Sequence, residues 1–131
     1  MALILVADDE PLVRGTLCGI LRRAGYEVIE AEDGDQVLEA CATAHPDLVL
    51  IDIIMPNREG VETIAALREV YRDLPIVAMS GGGRTGSTTF LAFSGRVGAN
   101  RVLMKPMRNA ALLEAVAGCL LPVAAAVSGA A

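Results

Sequence analysis

Several polar residues in this sequence stand where apolar runs stop: Asp8 and Asp9 after ALILVA, Asp52 after LVLI, Ser80 after PIVAM, and Lys105 after VLM. Taken singly, most have ordinary explanations. An aspartate ahead of a helix is usually a cap, a serine closing a strand usually serves the turn, and a lone lysine is usually solvated. Asp52 is different, because LVLIDIIMP (Leu48 to Pro56) reads as a buried run ending abruptly on a carboxylate. Taken together, the residues define a chemistry. Clustered carboxylates raise one another's pKa values unless a cation joins them. Mg²⁺ suits such a cluster, since it takes few carboxylates and keeps waters and a substrate phosphate in its octahedron. Asp52 would then be a nucleophile toward a phosphoryl group, giving an acyl phosphate. The Lys105 ammonium would offset charge on the phosphoryl oxygens, and the Ser80 hydroxyl would donate a hydrogen bond to one of them.

These residues can meet only if the elements that carry them end at one edge. Ala2 to Ala7, Leu48 to Ile51, Pro75 to Met79 and Val102 to Met104 read as buried strands, and Tyr26 to Ala31 as a short alternating one. Helical stripes lie between them. Val13, Leu17, Ile20 and Leu21 follow Pro11, and Gly25 is the stop. Val37, Leu38 and Cys41 follow a cap at Asp33 with Gln36 three residues on, and His45-Pro46 ends that helix. Val61, Ile64, Leu67 and Tyr71 share a third stripe, and Leu112, Val116 and Leu120 a last one opened by Asn109. A weaker helix is expected over 88–97, with Phe90, Phe93 and Val97 inward. Strand and helix alternating through the chain predict an α/β fold, a five-stranded parallel sheet with helices on both faces. In such a sheet ligands bind outside the carboxyl ends of the strands, where Asp8, Asp9, Asp52, Ser80 and Lys105 would gather.

Composition narrows the alternatives. The chain has 131 residues, 53% of them hydrophobic, and a formal net charge of −5. That length suits one domain, expected over 1–121, followed by an Ala-rich low-complexity tail over 122–131. The acidic balance and the lack of a basic run argue against direct nucleic-acid binding. Cys18, Cys41 and Cys119 lie far apart in apolar segments and read as reduced core residues of a cytoplasmic protein. His45, the only histidine, is expected in a solvated or capping role. The uncharged run from Ala115 onward contains Pro122 and is too short and Ala-rich to span a bilayer, so no membrane partner is expected.

The motifs DDEP at Asp8 to Pro11, LVLIDIIMP around Asp52, Gly60 shortly after, Ser80, and Lys105-Pro106 together resemble those of a two-component response-regulator receiver domain. The resemblance covers roughly Ala2 to Leu121. It implies a flavodoxin-like doubly wound sheet of order 2-1-3-4-5 and a phosphoryl group received by Asp52 from a sensor histidine kinase or histidine phosphotransfer protein. It further implies that Asp9 and Asp52 ligate Mg²⁺ directly and Asp8 through water, with the backbone carbonyl of Ile54 completing the set. Ser80 and Lys105 would hold the phosphoryl oxygens, without enzymatic turnover beyond slow self-dephosphorylation. A downstream protein would dock on the face made by the helix over 88–97, the fifth strand and the last helix. Two positions depart from the family pattern. Val102 stands where an aromatic residue commonly reports the state of the serine, so the switch is expected to run through the Gly81-Gly82-Gly83 loop and the helix over 88–97, with Phe90 or Phe93 moving. Ile54 stands where a polar side chain often influences hydrolysis of the acyl phosphate.

Other readings use the same residues. A dehalogenase-type phosphatase also pairs an aspartyl nucleophile with Ser and Lys, but it wants a second acid two residues on, where Ile54 stands. GGGRTGST has the glycine spacing of a P-loop with Ser87 in place of the lysine, and reads as a simple loop. The start at Met1 and the Ala-rich end lead us to expect a complete single-domain protein. The alternative is a receiver belonging to a hybrid kinase and acting as a phosphorelay intermediate.

Overall fold

Buried runs and amphipathic stripes alternate in the computed structural model as the patterning requires; it describes residues 2–55, 60–80 and 98–120. The strands are β1 (Leu3–Ala7), β2 (Glu27–Ala31), β3 (Leu48–Asp52), β4 (Ile76–Ser80) and β5 (Arg101–Met104). The helices are α1 (Pro11–Arg23), α2 (Gly34–Ala44), α3 (Gly60–Val70) and α4 (Asn109–Leu120). All strand pairs are parallel and the sheet order is β2-β1-β3-β4-β5, the flavodoxin-like doubly wound arrangement. Ser80 is the last residue of β4 rather than the first beyond it. The helix expected over 88–97, the Gly81 to Gly83 loop, Phe90, Phe93, Pro56 and the tail over 122–131 lie outside the described residues.

Each face of the sheet carries its own core. Ile4, Val6, Leu48, Leu50, Val77 and Met79 point to one side, under Leu17, Cys18 and Leu21 of α1 and Leu112 and Val116 of α4. Leu5, Val49, Ile51, Ile76 and Ala78 point to the other, under Val37 and Cys41 of α2 and Ile64 and Leu67 of α3. This is why β3 and β4 read as continuous apolar runs: strands covered on both faces have no wet side to alternate toward. The cysteines fall where expected, Cys18 and Cys41 buried and Cys119 half-buried, all free. Val102 packs against the α2/α3 side.

Local signals set the helix limits. Pro11 occupies the first turn of α1, and Gly25, at φ +100°, follows its end in a conformation that glycine adopts freely. Asp33 caps α2 by accepting from the Gln36 N–H at 2.8 Å. Gln36 Oε1 accepts in turn from the N–H of Glu32, one residue before the cap, at 2.9 Å. His45 closes α2 at φ 50° and is exposed, a capping position as expected. At the amino-terminal edge of the sheet, two side chains clasp backbone across strands. The Asp47 carboxylate accepts from the Leu3 N–H at 2.7 Å, and the Asn100 side-chain oxygen accepts from the Ile76 N–H at 2.8 Å. Asn100 is held in turn by Arg68 at 3.1 Å.

Candidate functional site

The parallel register brings the strand ends level. Ala7 pairs with Ile51, Asp52 with Met79, and Ser80 with Met104, so the residues just beyond these pairs meet at one edge of the sheet. There Lys105 donates to the Asp8 carboxylate at 2.5 Å and to the Asp52 carboxylate at 2.9 Å, across 97 and 53 residues of sequence. Asp8, Asp9 and Asp52 each offer a carboxylate oxygen within 4.8 Å of the others. Asp8 and Asp52 are buried and Asp9 is exposed, so the cluster opens to solvent on the Asp9 side. Ser80 Oγ is buried and has no hydrogen-bond partner among the described residues. A buried hydroxyl without a partner costs stability.

Asp8 and Asp52 are each also tied to the loop that follows. Asp8 Oδ1 accepts from the Glu10 N–H at 3.0 Å, and Asp52 Oδ1 from the Ile54 N–H at 3.1 Å. Ile54 thus contributes its N–H to the hydrogen bonding, and its side chain is half exposed. Gly60 fits against the same spot. Its N–H donates to the Ile53 carbonyl at 2.9 Å, and a Cβ there would lie 2.3 Å from the Asp52 carbonyl oxygen.

Burial raises the Asp52 carboxyl above the usual carboxylate range, outweighing the bonds from Ile54 and Lys105 that pull it down. For Lys105, burial works toward the neutral amine, but the hydrogen bonds to Asp8 and Asp52 prevail and hold the ammonium above its ordinary value. Two buried carboxylates thus share one ammonium with an exposed third, Asp9, close beside them, an arrangement a divalent cation would complete. The donor set is all oxygen and suits a hard ion.

A stability prediction follows from the sign of the Asp52 shift. The native state holds a proton on Asp52 more readily than the unfolded chain does. Stability is therefore lost as pH climbs from the ordinary value of 3.8 through the raised native one, and stays reduced above it. Asp52→Asn is expected to melt above the parent at pH 7 without divalent cations, the gain shrinking as pH falls and the parent's carboxyl protonates. Thermal melts across that range check it; a variant that melts lower at pH 7 contradicts it.

Asp8, Asp9, Asp52, Ser80 and Lys105 were all legible from sequence, and the fold brings them together. Arg14 was not. It lies one turn inside α1, at the end of a helix where the dipole disfavours a cation, and that misplacement is the signal that could have found it. Its side chain is nearly buried, donates to the Asp8 carbonyl at 2.8 Å and pairs with Glu30 at 2.9 Å. A separate apolar cavity of about 330 Å³ runs from Lys105 and Met107 along Leu12, Val13 and Leu17 of α1.

Comparison with known proteins shows the family. A family model described as "Response regulator receiver domain" matches residues 4–117. Protein PilG of Pseudomonas aeruginosa is 31% identical over 116 residues, covering 86% of this chain and 83% of that protein. The CAI-1 autoinducer sensor kinase/phosphatase CqsS of Vibrio cholerae is 37% identical over 117 residues, 87% of this chain but 17% of that protein. The transcriptional regulatory protein PdtaR of Mycobacterium tuberculosis is 34% identical over 122 residues, and the chain spans 54% of it. Among solved structures, the receiver domain of NtrX from Brucella abortus superposes with a TM-score of 0.86 at 30% identity, covering 91% of this chain and 98% of that one.

Proposed function

Given that this chain belongs to the response-regulator receiver domain family, we propose that Asp52 is its phosphoacceptor, loaded from a phosphohistidine of a sensor kinase or histidine phosphotransfer protein. The observation that carries this reading is the Lys105 ammonium set between the carboxylates of Asp8 and Asp52, at the sheet edge where Ser80 Oγ has no partner among the described residues. In the transfer, an Asp52 oxygen forms the new O–P bond as the P–N bond of the donor breaks and the imidazole leaves. Asp9 and Asp52, with Asp8 in support and the Ile54 carbonyl beside them, would hold Mg²⁺, which would supply charge neutralisation for the phosphoryl oxygens. Lys105 places a fixed positive charge on the same oxygens, and Ser80 donates to one of them. The apolar Ile54 side chain offers no group to orient a hydrolytic water.

The chain is a signalling domain, and the rest of its reading is proposed on that basis. Residues 1–121 form the receiver and 122–131 a tail. The output is a protein docked on the face of β5 and α4, with no direct nucleic-acid contact and a cytoplasmic setting. Among the described residues no helix is long and apolar enough to cross a membrane. The similarity to a segment of a sensor kinase/phosphatase favours a second placement, as one station of a phosphorelay.

The test is intact-mass measurement after incubation with acetyl phosphate and Mg²⁺. One phosphoryl group is expected on the parent, and none on Asp52→Asn or when the metal is chelated. Labelling of Asp52→Asn to the parent's level would overturn the assignment. Multiple turnover on small phosphate esters would instead return the dehalogenase-type phosphatase reading.

A further inference from the structure

Every polar group of Asp8 is engaged. Its N–H donates to the Ala31 carbonyl at 3.2 Å, extending the β1–β2 pairing by a step. Its carboxylate is divided between the Glu10 N–H and Lys105. Its carbonyl accepts from Arg14 Nη1 at 2.8 Å. That carbonyl belongs to the peptide unit joining Asp8 to Asp9, and a peptide unit is planar, so fixing its oxygen fixes where the Asp9 backbone begins. Asp9 is exposed and depends on that backbone to bring its carboxylate within 4.8 Å of the other two.

Arg14 is itself anchored from the far side. Its Nε donates to Glu30 at 2.9 Å, and its Nη2 lies 3.7 Å from Glu32. Glu30 belongs to edge strand β2 and Glu32 lies just past its end, so one guanidinium joins the start of α1, the end of β1 and the end of β2. A planar, forked cation can serve a carbonyl and a carboxylate at once; a lysine ammonium on a flexible stem cannot hold both in one geometry.

Resting on the reading of the acidic cluster as a divalent-cation site, we propose that Arg14 is a positioning residue for that cation, holding the Asp8–Asp9 peptide so that the Asp9 carboxylate faces Asp52. The role has a signature that simple charge does not share. Arg14 is a cation beside a cation site, so removing its charge should tighten metal binding if electrostatics alone governed. Positioning demands the reverse.

The measurement is titration of the full chain with MgCl₂ by calorimetry, repeated with Mn²⁺ by electron paramagnetic resonance, on the parent, Arg14→Gln, Arg14→Lys and Glu30→Gln. Arg14→Gln and Arg14→Lys are both expected to bind about tenfold more weakly, the scale seen when outer-sphere partners of a metal site are removed. Glu30→Gln, which leaves the donor in place and removes its anchor, should weaken binding in the same direction to a smaller degree. Acetyl phosphate should still label Asp52 in each variant once Mg²⁺ is saturating. Variants that bind as tightly as the parent, or more tightly, overturn the role of Arg14 and leave the receiver assignment standing. A parent that takes up neither metal overturns the cation site, and this role with it.

Discussion

Replacing Lys105 by alanine is expected to cost about 3 kcal/mol of stability without divalent cations, the scale of breaking a buried ion pair by deleting one partner. The side chain is mostly buried between Asp8 and Asp52, which would be left facing each other with no counter-ion. For a chain of this length the loss corresponds to a fall in Tm of roughly 10 °C. Metal binding should move oppositely. The ammonium occupies the carboxylate oxygens that a cation would use, so Lys105→Ala is expected to bind Mg²⁺ about tenfold more tightly, since the site loses its resident positive charge. Mg²⁺ at about a hundred times its Kd should return about 2.7 kcal/mol of stability through linkage. Melting curves with and without MgCl₂ test both halves. An unchanged Tm in the absence of metal would show that the ammonium does not stabilise the cluster.

The second large effect is expected at Gly60. Its Cβ would sit 2.3 Å from the Asp52 carbonyl oxygen and 2.4 Å from the Ile53 Cα, distances no real side chain tolerates, and both neighbours are backbone. Either α3 must lift away or the end of β3 must shift, so Gly60→Ala should cost about 3 kcal/mol, at the upper end for overpacked sites. Because the displaced backbone carries Asp52, loss of stability and loss of Mg²⁺ affinity should appear together in melts and calorimetry. A variant that melts within about 1 °C of the parent would mean the contact relaxes at little cost.

The strands and their polar termini were legible because the two physical signals coincided. An apolar run covered on both faces gives β3 and β4 away, and a carboxylate at the end of one needs a reason to be there. Conditions fixed by distant chain segments were not legible. Nothing local to DDE tells that Asp8 is fully enclosed while Asp9 is wet; that follows from Lys105, 97 residues away, and from Ala31. Gly60 was visible as a motif position, but its necessity comes from how closely α3 approaches the end of β3. Arg14 escaped because its carbonyl and carboxylate partners lie at the ends of two other elements, β1 and β2.

The clasps at the amino-terminal edge solve a phasing problem. A strand that is apolar throughout looks the same to the core after sliding by one residue, so hydrophobicity cannot dictate its alignment as it does in a half-wet strand. One residue of slip is about 3.3 Å of travel, enough to carry Asp52 out of reach of Lys105 while leaving an equally greasy interior. Asp47 gripping Leu3, and Asn100 gripping Ile76, act like the pins of a vernier. Set at the opposite end from the chemistry, they decide whether the carboxylates and the ammonium arrive at the same height.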